Sequence, residues 1–194
     1  MNFRFVCKVC GKCCSLYRII INIGDALKIF DELTVKFNET FTLVKKSELE
    51  RISDVPYDFF EISDDFYCLA MISYAEKGCV FIENRKCTIQ SIKPSVCYFY
   101  PLKYTNENNI DKFSVERYDV CNGIFDGGYS EWPGIIKKLH EYQYNTGWHN
   151  EIVKFWNENY GMKKDIRDFI IFFYESLYPI YLKSKSEKSL ADKK

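Results

Sequence analysis

Cys7-Lys8-Val9-Cys10-Gly11-Lys12-Cys13-Cys14 places four cysteines within eight residues near the start of the chain. Cys7–Cys10 and Cys10–Cys13 are overlapping C-x-x-C steps, and Cys14 follows directly. Two intervening residues let the backbone turn back, so that both sulfurs face one point about 2.3 Å from a zinc ion. Gly11 supplies the backbone freedom such a turn needs. Amide N–H groups of the knuckle can point at sulfur and offset thiolate charge. Adjacent Cys13 and Cys14 are expected to point apart, serving two metals or one multinuclear centre from two sides. Cys7, Cys10 and Cys13 also match the C-x2-C-x2-C run of bacterial ferredoxins, in part only, since Cys97 is followed by Tyr98 where proline would stand.

Outward from the knuckle, Cys79, Cys87, Cys97 and Cys121 supply four further thiols, and Cys68 brings the total to nine. Met1-Asn2-Phe3-Arg4-Phe5-Val6 has no apolar core and no small-residue cleavage site, so a signal peptide is not expected and a cytoplasmic location is. Thiols in a reducing compartment point to metal or redox chemistry rather than disulfides, and the odd count agrees. The longest apolar run, Phe169 to Leu182, falls short of the ~20 residues of a spanning helix and is interrupted by Glu175 and Pro179, so no membrane partner is expected.

The 194 residues suit one domain with a small appendage, and 47% hydrophobic with 28% charged residues describe a soluble globular chain. Twenty-seven basic residues balance 27 acidic ones, which gives no basic surface for nucleic acid. Eight thiolates around two divalent ions would leave roughly four extra negative charges.

The pattern predicts an α+β fold: a small Cys-rich, metal-stapled body of short strands and hairpins with one amphipathic helix, then a helical C-terminal part. Arg18 to Ile23 reads as a strand and residues 25–37 as the helix, through Ala26, Phe30, Leu33 and Phe37. Thr40 to Val44, Asp58 to Ile62 and Phe66 to Ser73 read as strands, with Ser63-Asp64-Asp65 a turn. Cys79 to Ile82 and Lys86 to Ile89 read as one hairpin turning at Glu83-Asn84-Arg85, which would face Cys79 toward Cys87. A short helix is expected near Pro94, then a hairpin with loop Asn106 to Ile110 and return strand Lys112 to Val120. Helices are expected over 133–160, with Pro133 at the start, and over 163–183. The domain reading is 1–128 for the cysteine-cluster domain, 129–183 for the helical extension and 184–194 for a solvated, flexible tail.

The cysteines and their neighbours resemble the YkgJ-like family of cysteine-cluster proteins. The family motif C-x-x-C-G-x-C-C stands here at residues 7–14. The second block resembles C-x-F-L…C-x-I-Y…R-P…C-R-x-F-P, present as Cys79-Val80-Phe81-Ile82, Cys87-Thr88-Ile89-Gln90, Lys93-Pro94 and Cys97-Tyr98-Phe99-Tyr100-Pro101, with Cys121-Asn122-Gly123 after it. Gly24-Asp25 is similar to the family's aspartate-initiated helix. Gln90, Lys93 and Tyr98 depart from the family's Tyr, Arg and Arg; Lys lacks the planar fork of Arg, so the resemblance leaves open any substrate- or anion-contacting role at those positions. The resemblance implies a zinc- or iron-chelating domain. Relatives in flagellin lysine N-methylase-like proteins imply a [4Fe-4S] cluster in some members.

The expected metal ligands are therefore Cys7, Cys10, Cys13, Cys14, Cys79, Cys87, Cys97 and Cys121, for zinc or iron. Cys68 reads as a buried strand cysteine. His140 and His149 read as helix-surface or packing residues, and Trp132, Trp148 and Trp156 as packing anchors. Lys8, Lys12, Arg85, Lys86 and Lys93 read as charge compensation for thiolates. Three functions compete: a zinc- or iron-chelating module, an iron–sulfur protein with redox or radical chemistry, and a metal-stapled scaffold whose helical end binds a protein partner. No phosphate-loop, serine-hydrolase, zinc-protease or dinucleotide motif is present, and the residues name no catalytic group.

Overall fold

The computed structural model describes residues 4–6, 10–49, 55, 57–100, 102–107, 110–115, 124–126 and 135–191. Small antiparallel sheets and helices make it an α+β fold, as expected. Strand β1 (Arg4–Val6) leads into the knuckle, whose second half is the one-turn helix α1 (Lys12–Leu16). Ile20 then makes an isolated bridge with Ala70, and this is all that forms of the strand expected over Arg18 to Ile23. The Ile21 N–H to Leu69 O and Met71 N–H to Ile19 O bonds, each 2.9 Å, flank that bridge, and Asn22 then caps the helix that follows. In α2 (Ile23–Leu33) Asn22 is the N-cap, and its side chain accepts the Asp25 N–H at 2.7 Å. Thr34, in the left-handed region at φ 52°, ends α2 short of residue 37, and α3 (Phe37–Thr40) is a separate turn.

The main sheet joins β2 (Phe41–Lys45), β3 (Phe60–Ile62) and β4 (Asp65–Met71), with β4 in the middle and every pairing antiparallel. Alternation along β4 is explicit. Tyr67, Leu69 and Met71 enter the main core, while Cys68 and Ala70 face the other side with Val44.

The single hairpin expected around Cys79 and Cys87 is two. β5 (Ser73–Tyr74) pairs with β6 (Gly78–Cys79), and β7 (Ile82–Glu83) pairs with β8 (Lys86–Cys87). Cys79 therefore lies opposite Ser73, and Cys87 opposite Ile82. The chain reverses over residues 75–77, and Gly78, at φ 76°, carries it from that turn into β6. Asn84 and Arg85, at φ 47° and 63°, form the two-residue turn of the second hairpin. Helix α4 (Ser95–Phe99) follows Pro94 as expected. β9 (Leu102–Glu107) and β10 (Ile110–Val115) form the next hairpin, and the expected continuation over 116–120 lies outside the described residues. β11 (Ile124–Asp126) returns to pair with β1, Val6 opposite Ile124.

Helix α5 (Ile135–Asn159) matches the long helix expected over 133–160; Pro133 and Trp132 lie outside the described residues. After it come α6 (Ile166–Phe172), a π-turn (Phe173–Leu177) and α7 (Tyr178–Ala191). The segment read as a tail from residue 184 continues α7 to Ala191, and Lys185 reaches Asp31 of α2 at 2.7 Å.

Cys-rich body and helical end share one core. Ile23, Phe60 and Leu69 belong to the same buried cluster as Ile152, Trp156, Phe169 and Phe173. Residues 149, 152, 153 and 156 are buried at helical spacing, the i, i+3, i+4, i+7 stripe of a packed helix.

Polar residues of α5 do a second job along β3. Asn157 Oδ1 accepts the Glu61 N–H at 2.8 Å while its Nδ2 donates to Phe59 O at 3.0 Å. Trp156 Nε1 donates to Glu61 O at 2.8 Å, and Asn150 Oδ1 accepts the Asp58 N–H at 3.1 Å. A sheet edge presents unpaired backbone groups, and here helix side chains satisfy them in place of a further strand.

His149 completes this seam. Wholly buried, it accepts the Ile23 N–H at Nδ1 (3.1 Å), so its proton sits on Nε2, which faces Asp58 O at 3.1 Å. Burial pulls its pKa down to about 4, since the charged ring would be unsolvated and its Nδ1 would meet a donor. The packing role expected for His149 thus holds; the ring also joins three chain segments.

Candidate metal centre

The knuckle turns at Gly11, φ 72°, where a Cβ would sit 2.8 Å from Arg85 O in the β7–β8 turn. Ser15 closes the turn by donating both its N–H and its hydroxyl to Gly11 O, each at 2.9 Å. On its other side the knuckle presses on Gly78, whose added Cβ would meet Cys14 O at 2.4 Å and Ser15 Cα at 2.5 Å. Both hairpins are thereby locked against α1, and their cysteines with them. A glycine next to a strand cysteine is the sequence signal for such close approach, and reading the cysteines alone missed it.

Cys13 Sγ and Cys14 Sγ lie 3.8 Å apart. The adjacent thiols converge, contrary to the expectation that they point apart: consecutive positions of a helical turn lie only about 100° apart around the axis, near enough for the two sulfurs to meet. Cys13 is pulled down to about 7, first by the hydrogen bond with Cys14 and then by the knuckle's own N–H groups and the Lys93 charge, against burial. Cys14 is pushed up as the partner that keeps its proton, and burial and the charges of Cys13, Cys97 and Cys79 add to this.

The distal thiols feel the same neighbourhood. Burial pushes Cys97 well up, with the charges of Cys79, Cys13 and Cys87 adding and Lys93 opposing. Cys79 is raised by burial, then by the charges of Cys87 and Cys13. Thiols from α1, β6, β8 and α4 therefore act on one another's charge. Cys10 is exposed. Cys7 and Cys121 lie outside the described residues. Among the described residues, no three Cys, His, Asp or Glu side chains already surround one ion's position.

The donors suit the expected metals. A tetrahedral ion with bonds of about 2.3 Å to sulfur has sulfur–sulfur edges of about 3.8 Å, and thiolates are ligands for zinc and iron alike. Cys68 is apart from this set. Its thiol donates to Val44 O at 3.7 Å on the far face of the sheet, and burial raises it to about 11.

Asp25 holds the Cys97 helix in place. Its carboxylate accepts the Ser95 N–H at 2.9 Å and the Ser95 hydroxyl at 3.0 Å, at the first residue of α4. Asn22 Nδ2 donates to the same group at 3.1 Å. Burial lifts Asp25 to about 6 against these bonds and the Lys28 charge. The sequence marks Asp25 only as a helix start; the contact with Ser95 spans 70 residues and leaves no local trace.

A knuckle of clustered cysteines docked on two cysteine-bearing hairpins defines a cysteine-cluster metal-binding protein. Residues 6–122 match the CxxCxxCC family, described as a "putative zinc- or iron-chelating domain", and the chain belongs to that family. Comparison with curated proteins and with solved structures finds no match.

Proposed function

We propose that the protein chelates zinc or iron as single ions in shells of four thiolates, drawn from Cys7, Cys10, Cys13, Cys14, Cys79, Cys87, Cys97 and Cys121. The 3.8 Å separation of Cys13 and Cys14 sulfurs carries the reading. Two sulfurs at a tetrahedral edge suit one shared ion, whereas a [4Fe-4S] cluster spreads four cysteines over four irons. The β1–β11 pairing supports a place for the remaining two thiols, since Val6 and Ile124 face each other one residue before Cys7 and three after Cys121. A bound ion would offset the thiolate charges that raise Cys14, Cys79 and Cys97, and closing the shell would draw the distal thiols inward, so binding and folding are coupled. The all-sulfur shell is closed, which suits a structural or storage role.

Elemental analysis with an absorption spectrum on the full chain, purified without oxygen, tests this. Stoichiometric zinc in a colourless protein, or mononuclear iron, is the expected result. A brown protein with acid-labile sulfide and four irons per chain would establish the cluster reading instead. Absence of both metals would falsify chelation by these thiols.

A further inference from the structure

Between α2, α4 and α5, beside the cysteine site, lies a cavity of about 60 Å³. At roughly 10–15 Å³ per water this holds about four to six water-sized atoms, the size of a carboxylate or phosphate group. We propose that it binds a small oxyanion.

What the wall can still offer a ligand decides the class. Two carboxylates face the cavity, Asp25 and Glu141, and both are already engaged. Asp25 accepts from Ser95 and Asn22. Glu141 accepts from Lys28 at 3.2 Å and from Lys138 at 2.6 Å, one oxygen each. The remaining polar groups of the wall include the ammonium groups of Lys28, Lys93 and Lys138 and the amide and hydroxyl of Gln90 and Ser91. Three lysines against two carboxylates leave one positive charge in surplus. Lys93 lies over the Tyr98 ring at 5.5 Å and has no carboxylate partner among the described residues. An incoming oxyanion would meet donors on several sides, share Lys28 and Lys138 with Glu141, and complete the pairing of Lys93. The simpler reading has Lys93 only balancing thiolate charge. It accounts for Lys93 but not for two further lysines crowding one glutamate at an open cavity.

Isothermal titration of inorganic phosphate, and separately of acetate, into the full chain tests the proposal at low ionic strength. Saturable one-site binding of either anion is expected, with Lys93→Gln weakening it about tenfold, the size of one charge-assisted contact. Glu141→Gln releases two lysines and is expected to tighten binding severalfold, a gain that misfolding cannot imitate. Lys137→Gln, on the exposed side of α5, is expected to change nothing. Absence of saturable binding by both anions in wild type and in Glu141→Gln overturns the proposal, as does equal weakening by Lys137→Gln and Lys93→Gln. Metal content is measured on the same samples, so failure of the anion site with metal retained is distinguished from failure of chelation.

Discussion

Gly78 stands so close to Cys14 that a single added carbon on Gly78 would lie 2.4 Å from the Cys14 carbonyl oxygen. That approach presses the first hairpin against the knuckle, and no residue with a side chain can reproduce it at φ 76°. Gly78→Ala must either push α1 away or unwind the β5–β6 turn. We expect a loss of at least about 2 kcal/mol in chemical denaturation, together with reduced metal stoichiometry. Gly147→Ala is the control. Nothing lies within 4 Å of its Cβ position in α5, and helix propensity predicts a gain of up to about 1 kcal/mol. A Gly78→Ala protein as stable and as metal-rich as wild type would show that the approach is not required.

Cys68 and Cys97 should separate cleanly. Cys68 faces Val44 on the far side of the sheet, so Cys68→Ala is expected to cost about 1 kcal/mol and leave metal content unchanged. Cys97→Ala is expected to lower the stoichiometry measured by elemental analysis. Loss of metal from the Cys68 variant would place that thiol in the site after all.

Acid should act on His149 and Asp25 in opposite senses. His149 titrates near 6.5 when unfolded and about 4 when folded, so its contribution is present above pH 6.5 and lost as pH falls toward 4. Asp25 titrates near 3.8 unfolded and about 6 folded, so its ionisation destabilises the fold as pH rises from 3.8 to 6. Each shift corresponds to about 3 kcal/mol, and over pH 4 to 6 the two slopes nearly cancel. Asp25→Asn removes one of them. Relative to wild type, it should lose about 3 kcal/mol more stability between pH 6.5 and 4, read from urea unfolding at matched metal content. Carboxylates shared by both proteins drop out of this difference. Parallel pH profiles would refute the opposition.

The helical end should not be removable. A chain ending at residue 128 lacks Ile152, Trp156, Phe169 and Phe173 from the common core and uncovers the β3 edge. It is expected to show no cooperative unfolding transition. Within the intact chain, Asn157→Ala leaves the Glu61 N–H and Phe59 O without their partner and should cost about 2 kcal/mol. Cooperative folding of the truncated chain would restore the picture of a separable scaffold.

The cysteine spacing, the strands around residues 41–71, the long helix α5 and the family are all legible in the order of residues, because each depends on periodicity or spacing within a short span. The two-hairpin split is less so, since it turns on one positive φ at Gly78. The covering of β3 by His149, Asn150, Trp156 and Asn157 left no pattern to read. Polar residues on a helix look solvent-facing until the strand edge they serve is known.

What the chain determines unaided is its donor chemistry: eight thiols in an order that suits zinc or iron, on a balanced, mixed α+β framework. Tertiary structure alone decided that Cys13 and Cys14 converge, that Asp25 seats the Cys97 helix, and that three lysines surround a cavity beside the thiols. Spacing governs which ligands a short segment can offer. Which of them meet depends on close packing between residues far apart in sequence, and no local rule encodes that.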